Sequence, residues 1–405
     1  MTEKARRSGE ARAPKVALSL KGVPPRTKRK KENSLPIRVM FLGLRGFPGV
    51  QGGVETHAEH LCPLLVEHGC QVEVIVRSPY QPTVIPEAWR KIKFSRIWAP
   101  KAKAFEAIIH TFLGVLYAAV KRPDILHIQA IGPAVMVPMA RLLGLRVVVT
   151  HHGPDYERQK WGRIARWVLL AGERQGMRWA NQRIGISNVI CQLVQDKYAL
   201  NTWLIPNGIT LPEMPDSKDI LVKFGLVPGN YFLLVSRLVP EKRHLDLINA
   251  FIHSPRAGWK LVLVGASDHP DTYTQSVLDD AKNHPGIVCT GFQNGHALKE
   301  LYAHAGLFVL PSSHEGLPIA LLEALSYGLP VLASDIPANL EVGLPTENYF
   351  PLSDVAALSA KLSEFALRPL DIERRNARRT WVSERFNWHA IARSTAAVYR
   401  EVAVG

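Results

Sequence analysis

Short apolar runs recur along the chain, each passing into a polar or glycine-rich turn and then an amphipathic stretch. Ile37 to Leu42, Gln71 to Arg77, Ile125 to Gln129, Leu145 to Thr150, Arg183 to Ser187 and Leu204 to Gly208 read as buried strands. Helical patterns fall between them at Val54 to Glu67, Ala107 to Lys121, Ala134 to Leu143 and Trp161 to Arg178. This alternation predicts a parallel, doubly wound α/β sheet. The pattern then lapses between Ile209 and Asp219, a proline-containing segment taken as a linker. It resumes with strands at Phe232 to Val235, Lys260 to Val264, Ile287 to Thr290, Leu307 to Leu310 and Pro330 to Ala333. Helices are expected before Phe251, at Tyr273 to Asn283, Ala297 to Ala305 and Val355 to Ala366, and from Ile372 to Val402 with a break near Phe386-Asn387-Trp388.

The 405 residues exceed the ~250–300 at which one core stops growing, so the two α/β halves are two domains. The expected division is a tail at 1–36, a first domain at 37–208, a linker at 209–219, a second domain at 220–380 and a final helix at 381–405. The four cysteines form no C-x-x-C pair, which argues against a zinc site and fits a reducing cytoplasm. The longest apolar stretches, Ala107 to Val120 and Ile131 to Val149, carry His110, Arg141 and Arg146, and fall short of the ~20 apolar residues of a membrane span. The basic first residues lack the apolar core of a signal peptide.

The formal charge is +15, but residues 1–36 hold eleven Lys/Arg and three Glu, leaving +7 on the body. The tail reads as disordered, and as either a solubilising extension or a segment drawn to anionic lipid. No aromatic residue is interleaved with its basic residues, which weighs against nucleic-acid binding.

Candidate chemistry concentrates at Ser312 to Pro330. Here an apolar strand runs into a polar loop, and a helix is expected between Pro318 and Gly328. Open α/β sheets bind ligands at the carboxyl ends of their strands. A helix start attracts phosphate, and a carboxylate further in, Glu323, is placed for a sugar hydroxyl attached to that phosphate. Glu315 lies in the loop itself. Arg237 and Lys242 follow the second domain's first strand, and two such cations suit a diphosphate. They would stabilise charge developing on a leaving nucleotide. That removes the need for a metal, and no Asp-x-Asp pair is present to hold one. In the first domain, the glycine-rich loop Gly43 to Gly53 lets backbone approach a phosphate but fits neither the P-loop nor the dinucleotide spacing. His151-His152 ends another strand in the ligand-facing position.

Glu315 and Glu323 eight apart, Arg237 and Lys242 before them, Ile205-Pro-Asn-Gly208 and Gly52-Gly53 together resemble the retaining glycosyltransferases of family 4, which have the GT-B fold. The resemblance covers roughly 37 to 402. Leu44 to Glu55, His152 to Gly162 and Asp268-His269 with Tyr273 narrow it toward bacterial capsule and exopolysaccharide transferases, including rhamnosyl- and galactosyltransferases. It implies two Rossmann-like domains facing a cleft, with the last helix returning to the first domain.

By the same resemblance, Gly53 approaches the donor phosphate and Arg237 and Lys242 bind the diphosphate. Glu315 lies near the transferred sugar, with the Gly316 and Leu317 amides at phosphate or sugar. Glu323 binds the ribose diol, His152 faces the reacting sugar, and Gly291, Phe292 and Gln293 line the base pocket. It implies same-face attack without a protein nucleophile, and no cofactor. The implied partners are a nucleotide sugar, with dTDP-rhamnose or a UDP-sugar favoured, and a lipid-linked or polysaccharide acceptor. Thr210 departs from the Asp that the family often carries there. Competing readings are a nucleotide-sugar epimerase or phosphorylase of this fold, a basic nucleic-acid-binding protein, and a non-catalytic scaffold.

Overall fold

Two sheets form, one from each half of the chain. The first holds β1 (Ile37–Leu42), β2 (Cys70–Arg77), β3 (Ala88–Trp89), β4 (Ile92–Ile97), β5 (Ile125–Gln129), β6 (Val147–His151), β7 (Gln182–Gly185) and β8 (Trp203–Leu204), in the order β3-β4-β2-β1-β5-β6-β7-β8. The second holds β9 (Tyr231–Val235), β10 (Lys260–Val264), β11 (Ile287–Gly291), β12 (Leu307–Leu310), β13 (Val331–Ser334) and β14 (Tyr349–Phe350), in the order β11-β10-β9-β12-β13-β14. This computed structural model describes residues 35–50, 52–80, 88–100, 106–157, 162–254, 258–267, 270–368 and 371–404. The basic tail expected at 1–36 falls outside them save its last two residues, and so do Gln51, residues 158–161 and the Asp268-His269 pair.

The strands of both sheets pair in parallel except at the β3 edge. Parallel sheets are covered on both faces, so their strands read as continuous apolar runs. Alternate residues of β1 enter different cores. Val39 and Phe41 pack with α1 (Gly53–Glu67), whereas Met40 and Leu42 pack with α2 (Glu106–Lys121) and α3 (Val137–Leu142). Also in the first half are α4 (Arg163–Trp179) and α5 (Asn188–Tyr198). The second half carries α6 (Asp219–Phe224), α7 (His244–Ile252), α8 (Thr272–Lys282), α9 (Gly295–Ala303), α10 (Ile319–Ser326), α11 (Pro337–Leu340), α12 (Val355–Ala366) and α13 (Ile372–Arg385) around one continuous core.

The last helix, α14 (Trp388–Val404), packs on the first half. Trp388, Ile391, Ala392, Ala396, Val398, Tyr399 and Val402 join the core of β1, β2 and α1. The chain crosses between the halves twice, and the crossings pair. Ile209 N donates to the Phe386 carbonyl at 2.8 Å, and Ile209 bridges Asn387.

Four local features depart from the sequence reading. The first sheet is not wholly parallel, because β3 runs antiparallel to β4 at its edge. The helix expected over Ala134 to Leu143 divides into a 3-10 turn, Pro133–Met136, and α3. Pro138, with no N–H to give, begins a new helix more readily than it continues the old turn. The strand expected over Leu204 to Gly208 is confined to Trp203–Leu204. The sequence pattern also did not mark β3, β4, β14, α5, α6 or α11.

Candidate active site at the domain cleft

Both sheets reverse their strand order at one point, β1 beside β5 and β9 beside β12. Loops leaving adjacent strands in opposite directions open a crevice there, the usual ligand position in this architecture. In the second half the two loops are those carrying Lys242 and Glu315. They are stitched together by Ser313 N, which donates to the Glu241 carbonyl at 2.8 Å. Lys242 Nζ donates to Glu315 Oε1, and both side chains are largely buried. Arg237 lies earlier in the same loop, partly buried, its carbonyl accepting from Val239 N at 3.0 Å.

The loop after β12 also meets the first half. A Cβ on Gly316 would stand 1.9 Å from the His152 carbonyl oxygen, so only glycine fits between the halves here. Leu317 offers its carbonyl to Asn207 Nδ2 at 3.2 Å, across 110 residues of sequence. A Cβ on Gly53, the first residue of α1, would lie 3.9 Å from Ile319 Cδ1, so the starts of α1 and α10 approach each other. In the β1 loop, Gly43 has φ +105 and a Cβ there would be 2.5 Å from the Gln129 carbonyl. That close approach joins the β1 and β5 ends of the first crevice.

His151 and His152 divide into different roles. His151 is buried and bonds through Nε2 to Glu173 Oε1 at 2.9 Å. Glu173 is a buried hub that also accepts from Tyr198 at 2.8 Å, Tyr156 at 3.1 Å and Lys197 at 3.2 Å. Burial pushes the Glu173 carboxyl up, but His151, Tyr198 and Lys197 together hold it down at about 2. This cluster is structural. His152 belongs to the cleft, its ring 5.1 Å from that of His57.

A chain of polar side chains fixes His152 from behind. Its Nε2 lies 2.7 Å from Gln129 Oε1, so that nitrogen carries the proton. Gln129 Nε2 donates to His127 Nε2 at 3.1 Å, which also accepts from Thr150 Oγ1 at 2.7 Å. His127 Nδ1 is thereby the protonated nitrogen and donates to Tyr399 Oη at 2.6 Å. Tyr399 sits on α14, so the returning helix anchors the far end of the chain. His57 Nδ1 bonds to Asn207 Oδ1 at 2.9 Å. Burial lowers His57, His127 and His152 to about 3, so all three are neutral near pH 7.

Glu323 projects from the middle of α10, one turn beyond Ile319. Tyr302 donates to its Oε2 at 3.0 Å, and the Tyr302 ring stacks on Tyr327 at 5.2 Å. Burial raises the Glu323 carboxyl, against the hydrogen bond from Tyr302 and the nearby His60. Gly291, Phe292 and Gln293 lie at the end of β11, two strands from the switch point. Phe292 is exposed, and Gln293 Nε2 turns back to the Thr290 carbonyl at 2.8 Å. Among the described residues, no hydrogen bond or ion pair joins these three to Lys242 or Glu315. Nor, among the described residues, do three or more His, Cys, Asp or Glu side chains gather as metal ligands.

Sequence reasoning did not assign His57, Asn207, Gln129 or Tyr399 to the cleft. His127 and Gln129, alternating within a wholly buried strand, were the available signal.

Two family models match the chain, one in each half. Glycosyltransferase Family 4 matches residues 51–212, and Glycosyl transferases group 1 matches residues 218–381. The chain belongs to the family 4, group 1 glycosyltransferases. An uncharacterized glycosyltransferase of Methanocaldococcus jannaschii is 31% identical over 42% of this chain and 44% of its own length. O-antigen chain mannosyltransferase B of Escherichia coli is 27% identical over 50% of this chain and 54% of its own. The matches thus span about half the length of these curated relatives. Among solved structures, Anabaena HepE in complex with UDP and glucose superposes with a TM-score of 0.74 at 16% identity, over 90% of this chain and 100% of that one. WaaG, a glycosyltransferase involved in lipopolysaccharide biosynthesis, does so with a TM-score of 0.70 at 17% identity, over 90% and 99%. The fold of this family 4 chain is GT-B.

Proposed function

We propose that the protein transfers a sugar from a nucleoside-diphosphate donor to a lipid-linked or polysaccharide acceptor in surface or exopolysaccharide biosynthesis. The donor is a dTDP-rhamnose or UDP-sugar, and transfer proceeds with retention and without a metal. One observation carries the reading. The Lys242–Glu315 pair sits at the switch point of the second sheet, on loops that abut His152 of the first domain.

In this reading Arg237 and Lys242 hold the diphosphate, Glu323 holds the ribose diol of a UDP donor or the single 3′-hydroxyl of a dTDP donor, and Gly291 to Gln293 border the base. The starts of α1 and α10 present their amides to the phosphates. The bond from the anomeric carbon to the diphosphate oxygen breaks while the acceptor oxygen bonds to that carbon from the same face. The acceptor's proton passes to a phosphate oxygen, and the cations stabilise the charge that develops there. His152, neutral and protonated on Nε2, turns Nδ1 to the sugar as an acceptor. An Escherichia coli relative that is an O-antigen chain mannosyltransferase supports the acceptor class, and HepE, solved with UDP, supports the donor class.

The test is a thermal-shift panel of dTDP-, UDP- and GDP-sugars in EDTA, because a bound donor raises the melting temperature. The selected donor is then followed into product by NMR of the new anomeric proton. No shift with any nucleotide sugar would overturn the reading. Inverted product, or transfer that requires added divalent metal, would overturn its mechanism.

A further inference from the structure

A cavity of about 830 Å³ lies against the segments that join the two halves. That size is ordinary for a small-molecule site, roughly 300–1,000 Å³. Its walls are the second half of α1, the tip of the β3–β4 hairpin, and both crossings, at 209–211 and between 383 and 389. Arg237, Lys242, Glu315 and His152 do not line it. The hairpin tip is strained. Arg90 and Lys91 are the two loop residues inside the Trp89–Ile92 pair, and both are left-handed, at φ 49 and 64. Asn-Gly is the usual choice for such a turn. Strained backbone of this kind clusters at functional sites. Here it sets two exposed cations side by side at the edge of the cavity. Among the described residues, neither is paired with a carboxylate. Glu67, the one carboxylate lining the cavity, stands 4.0 Å from His389.

We propose that this cavity is a second ligand site, that it takes a sugar phosphate, and that its occupancy strengthens donor binding. An adjacent arginine and lysine suit a phosphate, one as a fork and the other as a point charge. The other polar side chains suit hydroxyls. His60 gives Nδ1 to the Thr56 carbonyl at 2.9 Å, which leaves Nε2 for a ligand. Asn387 Oδ1 accepts from His389 N at 2.9 Å and Ala390 N at 3.1 Å at the start of α14, which leaves Nδ2 to donate. Thr210 adds an exposed hydroxyl. A bare anion would leave most of the cavity empty, and a neutral sugar would leave the cations unused.

The coupling follows from the walls. Trp388 stacks on His60 at 5.6 Å and meets His57 edge-on at 5.4 Å, and His57 in turn meets His152. His60 also stands near Glu323, across the cleft. The crossings that line the cavity are bonded to each other through Ile209 N and the Phe386 carbonyl. The two halves stand in the arrangement that joins Asn207 to Leu317. A ligand that fits the crossings in this arrangement favours it over an open one, and a donor held by both walls draws on the same preference. Linkage makes the effect reciprocal. The coupling rests on the proposed donor; the binding of a sugar phosphate does not.

The experiment is isothermal titration calorimetry of the full chain with the 1- and 6-phosphates of glucose, galactose and mannose, beside inorganic phosphate and the free sugars. At least one sugar phosphate is expected to bind, about tenfold or more tighter than phosphate or sugar alone. Arg90→Asn/Lys91→Gly removes both cations and relaxes the turn, so its melting temperature should equal or exceed that of wild type. Thr210→Asp supplies the residue the family often carries there and sets a carboxylate beside the cations. Each variant is expected to weaken sugar phosphate binding about tenfold or more. Lys242→Ala should leave it unchanged, which separates the cavity from the donor site. Saturating sugar phosphate should lower the Kd of the nucleotide sugar about fivefold or more, and the nucleotide sugar should lower that of the sugar phosphate by the same factor. Binding of no sugar phosphate, or binding that survives either cavity variant, would overturn the site. So would binding that Lys242→Ala abolishes and the nucleotide sugar displaces. Phosphate alone binding as tightly would overturn the sugar assignment, and an unchanged nucleotide sugar Kd would overturn the coupling. A wild type that binds no nucleotide sugar would count against the proposed reaction and leave the sugar phosphate result standing.

Discussion

Asn207 of the first domain donates through Nδ2 to the carbonyl of Leu317 in the second, at 3.2 Å, while its Oδ1 pairs with His57. One buried amide therefore joins the two walls of the cleft. Removing it leaves a carbonyl and an imidazole unpaired, at about 1–3 kcal/mol for each buried group. Asn207→Ala is expected to lower turnover by roughly tenfold or more, because it weakens the closed arrangement that completes such sites. Steady-state kinetics beside a melting curve will check this. Wild-type turnover would show that closure does not depend on the contact.

Lys242 and Arg237 should be far more costly to lose for catalysis than for folding. Removing a charged transition-state contact typically costs about 2.7–4 kcal/mol, or about 10²–10³ in rate. Lys242→Ala also leaves the Glu315 carboxylate without its cation, so the double variant with Glu315→Gln should be less than additive. Turnover within a few-fold of wild type in Arg237→Ala or Lys242→Ala would remove the diphosphate role.

Glu323 is poised by Tyr302 and by burial, and the proposed partner is the ribose diol. Glu323→Ala should raise the donor KM, losing about 1.5–3 kcal/mol, as for hydrogen bonds to a charged group. With a UDP donor, the same substitution should erase discrimination between ribose and 2′-deoxyribose nucleotides. Measured affinities for UDP and its deoxy analogue check this, and persistent discrimination would place the ribose elsewhere.

Acid should destabilise the fold through histidine. Burial holds His57, His127, His152 and His244 at about 3 and His110 at about 4, against an ordinary value of 6.5. The unfolded chain binds these protons first. The stability is therefore full above pH ~6.5 and is lost progressively as pH falls toward 3, by up to about 1.4 kcal/mol per pH unit for each histidine. Melting temperature should fall steadily below pH ~6.5. His110→Phe should flatten that slope, since His110 lies away from the cleft with neither ring nitrogen bonded to a side chain. An unchanged slope would mean that this histidine titrates in the folded state.

The architecture was legible because parallel strands are buried on both faces and appear as apolar runs. The edge hairpin was not, since Ala88–Trp89 is two residues long and pairs only with β4. α5 escaped because only Ile190 and Val194 of its eleven residues are fully buried, too thin an apolar face to mark a helix. Lys242 and Glu315, 73 residues apart, were paired by motif and do meet. Asn207 lay inside a motif already noted, yet its partner is a backbone carbonyl, and a carbonyl leaves no mark in sequence. His152 was named, but it is oriented by Gln129 and, through Gln129 and His127, by Tyr399 on a helix more than two hundred residues away.

Residues 388–404 complete the core of the first domain and emerge from the ribosome after the whole second domain. Domains made first usually fold first. Here the first domain stays open along α1, without seven buried side chains worth roughly 1.5–3 kcal/mol for each large one, until the second is finished. The order of synthesis and the order of completion are reversed, so the half made first is the half finished last.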